Sequence, residues 1–347
     1  MRRLRILTWH IHGSYLHNLV QAPHDFYVPT KPGKPEGYGG RSGSYAWPAN
    51  LHEVPAEAAR GLPLDLIIYQ SPKNYFVDQF EILSAEQRRL PRIYLEHNTP
   101  KEHPTDTRHP VDDPNVLLVH VTHFNSLMWD PGRTPTLVVP HGVVVRSDVC
   151  YTGELARGIV VVNGLRRRKR VAGLDVFESI RQEVPLDLAG MDSLALGGLG
   201  DLPHQELHAR EARYRFFFNP IRYTSLPLAL LEAMALGLPI VALATTEVPE
   251  AVPDGVAGFV SNERGKLLEG MRLLLRDPGL AQLMGRQARR IAGERFGIAR
   301  FVRDWEHAFE VAVNAKGAKR GVGRPESGHR SPRDGGSGGG TSCPARW

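Results

Sequence analysis

Short, almost wholly apolar runs punctuate the chain at regular intervals. In the first half these are "LRILTW", "DFYVP", "LDLIIYQ", "RIYLEH", "NVLLVHVT" and "PTLVVPHG"; the second half continues with "GIVVVNG", "LDLAG", "YRFFFNP" and "PIVALA". Runs of this length that do not alternate apolar with polar predict strands buried on both faces, hence parallel sheets with helices such as "GLDVFESIRQEV" between them. The pattern restarts near residues 145–157. This predicts two doubly wound domains, residues 1–150 and 151–298, facing a central cleft. A last helical region, Leu267 to about Val313, has breaks predicted near Asp277-Pro278 and at Gly293. Its final piece, 299–313, is expected to pack back on the first domain. Residues 314–347 are basic and nearly free of apolar side chains, the composition of a disordered tail.

One segment breaks the pattern. From Ser225 to Ala242 every residue is apolar, Gly, Pro or Ser except Glu232. Ser225 is placed to cap a helix with Pro227 in its first turn; Gly237 stops it and Pro239 forbids continuation into the strand "PIVALA". A carboxylate in such surroundings is costly unless a ligand or polar neighbour satisfies it.

Composition narrows the classes. The 347 residues have the apolar and charged fractions of a soluble globular protein, and no apolar stretch approaches the roughly 20 residues of a membrane span. "MRRLRILTWHIHG" has too short an apolar core for a signal peptide, so residence in the cytoplasm is expected. With two cysteines, Cys150 and Cys343, a structural disulfide is not expected. The fifteen histidines are scattered, and "HIHGSYLH" lacks a nearby carboxylate, so no metal is assigned. Of the net charge of +6, most lies after residue 314, where seven Lys/Arg face two Asp/Glu. The body is near neutral.

Candidate chemistry sits after the strands of the second half. Arg166, Arg167, Arg168, Lys169 and Arg170 follow "GIVVVN" directly, either as a solvated charge cluster or as a cradle for a diphosphate. Backbone N–H groups of Thr224, Ser225 and Leu226, at the start of the Glu232 helix, offer a second anion site. Glu232 itself can accept two hydrogen bonds from a vicinal diol such as a ribose, or it can pair with a core Arg or Lys. Phosphate and diol together describe a nucleotide diphosphate.

The string "FFFNPIRYTSLPLALLEAMALGLPIVALATTEVPEAVPDGVAGFV", continued by "LLLRDPGLAQLMGRQARRIAGERF", resembles the C-terminal signature of the family 4 (group 1) glycosyltransferases. "TLVVPHGV" resembles that family's Pro-Asn-Gly-Val strand end, with His141 for Asn. The resemblance implies an α/β GT-B fold of two Rossmann-like domains. It implies a retaining glycosyltransferase that moves a hexosyl group from a nucleotide-diphosphate sugar, UDP- or GDP-linked, to a glycan or lipid-linked glycan. Bacterial cell-surface polysaccharide synthesis is the family habit, with peripheral association at the inner face of the membrane. No cofactor and no metal are implied. Carried over by position, Glu232 is the ribose carboxylate, and Thr224 replaces the family's Glu that contacts the donor sugar. Arg166 takes the phosphate-binding Arg position; the Lys position falls on Ala172, with Lys169, Arg170 and Arg222 as substitute cations. His97, in "YLEHNTP", matches the acceptor-side histidine, and Gly13 resembles the glycine turn beside the donor phosphates. Glu247 and Glu250 read as loop architecture. The Gly-rich loop Lys31–Pro48, with Tyr38, Tyr45 and Trp47, is the candidate acceptor contact.

Other classes compete less well. Thr224 leaves open a degenerate member that binds nucleotide sugar without turnover. The basic tail suggests nucleic acid, but the near-neutral body offers no stacking platform, so no specific nucleic-acid partner is expected. No GxGxxG follows either first strand, which argues against a dinucleotide-dependent oxidoreductase.

Overall fold

The computed structural model describes residues 2–321. Strands β1 (Arg5–Thr8), β2 (Asp25–Thr30), β3 (Leu51–Pro55), β4 (Leu66–Tyr69), β5 (Arg92–Glu96), β6 (Val116–His120) and β7 (Thr136–Val138) form one parallel sheet in the order β3-β2-β1-β4-β5-β6-β7. A second parallel sheet orders β9 (Leu186–Ala189), β8 (Leu155–Val161), β10 (Tyr214–Asn219), β11 (Ile240–Ala242) and β12 (Gly258–Val260). The continuous apolar runs are therefore strands covered on both faces: β4, β6 and β10 have no exposed residue. Two strands of these sheets lay outside the expectation, as did a separate two-residue pair, Thr107–Arg108 with Trp129–Asp130. β3 reads "LHEVP", a part-polar edge strand paired only to β2, and β12 is three residues long.

Each sheet has cores on both faces. The chain ends in three helices, Arg264–Arg276, Pro278–Phe296 and Ile298–Gly321. The first break falls where Asp277 Oδ1 accepts from Leu280 N–H at 2.9 Å, an N-cap, with Pro278 at the first helical position. Gly293 does not break the helix. It lies inside Pro278–Phe296 with open space beyond its Cα, and the chain turns at Gly297 instead. The last helix buries Phe301, Trp305, Ala308, Phe309 and Ala312 in the core of the first sheet, joined by Trp305 Nε1–H donating to Tyr15 Oη at 3.2 Å. It continues past 313 to Gly321, which corrects the expected start of the tail at 314; the rest of the tail lies outside the described residues. No helix among the described residues is long and apolar enough to cross a membrane.

Candidate functional site

In open parallel sheets, ligands bind beyond the carboxyl ends of the strands. At that edge of the second sheet, β8 runs into the basic helix Leu165–Ala172, and β10 runs into the turn 220–227 before the Glu232 helix, Leu228–Leu236. The two connections abut. Arg222 N–H donates to the Val171 carbonyl at 3.0 Å, and Gly173, at φ 83°, lies so close to the turn that a Cβ would stand 1.9 Å from the Pro220 carbonyl oxygen.

The basic run divides. Arg170 and Arg222 both bind Asp175, at 2.6 and 2.5 Å, and Arg222 Nη1 also donates to the Arg170 carbonyl at 2.8 Å. These two expected phosphate ligands thus share a single carboxylate, five residues downstream of Arg170, and are engaged in ion pairs, a correction to their expected role as substitute cations free for the phosphates. Arg166 and Lys169 are exposed and make no ion pair among the described residues. Lys169 has φ 49° and ψ −130°, which kinks its helix. A side chain in that region costs on the order of 1–3 kcal/mol and is typical of functional turns.

The Glu232 helix starts later than expected. Pro227 occupies the N-cap position and Ser225 makes no side-chain cap; the Ser225 carbonyl instead accepts from Thr246 Oγ1 at 3.1 Å, and the Leu226 side chain lies in the core. Thr224 is half-buried in the turn. Gly237 ends the helix at φ 99°, as its position predicts. Glu232 is buried, and its partners are neither Arg nor Lys. His204 Nε2 stands 3.4 Å from Oε1 and His208 Nε2 3.8 Å from Oε2. Burial alone would raise the carboxyl pKa, but the two imidazoles outweigh it and hold Glu232 at about 2. Glu211, one turn beyond His208 and fully buried without a hydrogen bond, is pushed well above the usual carboxyl range by burial and by the Glu232 charge.

His204 and His208 were missed in the sequence reading. The signal was present as "HQELH", an i,i+4 pair on the helix His204–Glu211. The three side chains place their donor atoms within 4.8 Å of one another, a set able to hold a metal ion.

The first domain closes the other side. Gln70 Nε2 donates to Thr8 Oγ1 at 2.8 Å and to the Trp9 carbonyl at 2.7 Å, so its Oε1 must accept the 2.9 Å bond from His97 Nε2. His97 is therefore protonated on Nε2 and keeps its lone pair on Nδ1. Burial, then His12 and His141, hold its pKa well below the ordinary value. Gly13 is not in a left-handed turn; it begins the helix Gly13–Leu19, and a Cβ there would lie 2.7 Å from the Tyr45 ring. The room it leaves is filled by the 31–48 loop, a correction to its expected role of admitting phosphates.

That loop spans the cleft. Tyr45 stacks on His17 with centroids 5.5 Å apart and contacts His204 at 4.8 Å, and Ser44 Oγ accepts from the His204 backbone N–H at 2.7 Å. Tyr38, by contrast, is wholly buried beneath Lys31 and is no acceptor contact. Glu247 also bridges the domains, its Oε2 accepting from Phe124 N–H at 2.8 Å.

Residues 174–277 match the family model described as "Glycosyl transferases group 1". That segment holds Glu232 and the turn before it and leaves Arg166 and Lys169 outside. An uncharacterized glycosyltransferase of Haemophilus influenzae is 32% identical over 90 residues, a quarter of this chain and a quarter of that protein. Among solved structures, the sucrose-phosphate synthase of Thermosynechococcus elongatus superposes with a TM-score of 0.66 at 14% identity, covering 90% of this chain and 100% of that one. Anabaena HepE, solved in complex with UDP-glucose, gives 0.63 at 14% identity over 89% and 100%. The fold is GT-B. The matched segment thus forms most of the carboxyl edge of the second sheet in a GT-B frame.

Proposed function

We propose that the chain is a retaining glycosyltransferase that takes a hexosyl group from a UDP- or GDP-linked donor. Its acceptor would be a glycan or lipid-linked glycan of a bacterial cell surface, reached from the cytoplasmic face of the membrane. The observation that carries this reading is Glu232, a buried carboxylate held ionised at the carboxyl edge of the second sheet inside the matched segment. A ribose offers it two hydroxyl donors. HepE, whose fold this chain shares, binds UDP and UDP-glucose.

In the proposed reaction the bond from the anomeric carbon to the diphosphate breaks, and negative charge grows on the leaving diphosphate. Arg166 and Lys169, without a carboxylate partner among the described residues, stabilise that charge without a divalent ion. The backbone N–H groups of the turn 224–226 add dipoles at the same edge. The acceptor hydroxyl attacks on the face the diphosphate leaves, its proton passing to the departing phosphate oxygen, and neutral His97 helps position the acceptor. Incubating the full chain with UDP- and GDP-sugars and following free nucleotide and transferred sugar tests this. Release that Arg166→Ala suppresses is the expected result.

A second reading draws on two observations: Asp175 engages both Arg170 and Arg222, and Thr224 supplies no carboxylate to the sugar. A binding protein without turnover would take up nucleotide in the same assay and release none.

A further inference from the structure

We propose that His204, His208 and Glu232 form a binding site for a borderline-soft divalent transition ion, of the zinc class. His204 and His208 lie one turn apart on one helix face with ring centroids 4.4 Å apart, and Glu232 rises from the neighbouring helix between them. The Nε2 to carboxylate-oxygen separations, 3.4 and 3.8 Å, are long for hydrogen bonds. They suit a shared ion, since two donors bound at 2.0–2.1 Å around a tetrahedral centre stand about 3.4 Å apart. His208 gives the second indication: it is 1% exposed, and among the described residues neither ring nitrogen makes a hydrogen bond, Nε2 meeting only Glu232 Oε2 at 3.8 Å. A buried imidazole without a partner is uncommon and calls for an occupant. Both of the nitrogens that approach Glu232 are Nε2, one at each carboxylate oxygen, and the three donors lie within 4.8 Å of one another.

Two imidazoles and one carboxylate select zinc, cobalt or nickel over magnesium or calcium, which prefer all-oxygen shells. Three protein ligands leave a fourth position open, as in mononuclear zinc sites that keep a water. Beside the cluster stand the rings of Tyr45 and His17 of the first domain, 4.8 and 6.1 Å from that of His204. The inference goes beyond the donor reading and does not rest on it. The two share Glu232, so a bound ion and a ribose exclude one another, and zinc acts as a competitor of nucleotide.

The test uses the full chain, stripped with EDTA and then titrated with Zn²⁺ against a chromophoric chelator, and with Co²⁺ followed by visible absorption. One ion per chain is expected, with a cobalt spectrum of low coordination number. His208→Gln and Glu232→Gln should each weaken the ion at least about tenfold, the least that loss of even an outer partner costs. His103→Ala, in an exposed loop, should leave it unchanged. His204→Gln, at a less buried ligand, serves if His208→Gln fails to fold by circular dichroism. No stoichiometric binding, or binding undiminished in these ligand variants, overturns the proposal. Nucleotide titration in EDTA reads the donor site separately: its failure beside an intact zinc site leaves this inference standing, and the reverse removes this inference alone.

Discussion

The two carboxyl edges that face each other across the cleft are built on the same parallel-sheet plan but differ in charge. At the first, the imidazoles stay neutral: Gln70 ties Thr8, Trp9 and His97 together, and His97, His120 and His141 are all buried with lowered pKa values. The second holds an ionised buried carboxylate, a strained lysine and cations without ion-pair partners among the described residues. A neutral edge suits a hydroxyl acceptor, which needs orientation. A charged one suits a diphosphate leaving group, which needs compensating charge. The difference separates the two halves of the proposed reaction between the two domains.

The largest expected effect lies on the charged side. Arg166→Ala should lower turnover by about 10²–10³, the range for losing one preorganised donor to a developing oxyanion, with a smaller change in KM. A similar loss from Arg170→Ala would show that the Asp175 pair opens in the complex and would blur the division of the basic run. Gly173→Ala tests the seam between the basic helix and the donor turn. Its φ of 83° and the 1.9 Å approach to Pro220 predict destabilisation by about 3 kcal/mol or more, read by chemical denaturation.

Acid should find the neutral side first. Burial holds His120 at about 4, so between pH 6.5 and 4 the unfolded chain binds a proton that the folded chain refuses. The stability this group confers is complete above pH 6.5 and falls as pH drops, by up to about 3 kcal/mol at pH 4. His141, lowered to about 3, acts in the same direction. His120→Gln should flatten the slope in urea melts taken across this range. The smallest effect expected is that of His97→Ala, roughly tenfold in turnover with nucleotide affinity unchanged. A change in nucleotide affinity would place His97 on the donor side and erase the contrast.

Much of the fold was legible because fully buried strands write themselves as unbroken apolar runs. β3 was not, since an edge strand exposes Glu53 and needs no such run, and β12 is too short to register. Gly293 misled because glycine in a long helix is tolerated where nothing crowds it. In the site, Glu232 announced itself as a lone carboxylate in an apolar helix. What satisfies it was hidden, because His204 and His208 come from a helix more than twenty residues away. The pairing of Arg170 and Arg222 with Asp175 was equally invisible: it depends on the Gly173 turn, which brings three separate positions together.

The central claim is that Glu232 is held charged to receive a ribose. Calorimetric titration of the chain with UDP, GDP and ADP in the presence of chelator, repeated with Glu232→Ala, tests it most directly. The account predicts that one nucleotide binds selectively and that the variant loses it. Binding of none, or binding that survives the substitution, would contradict it.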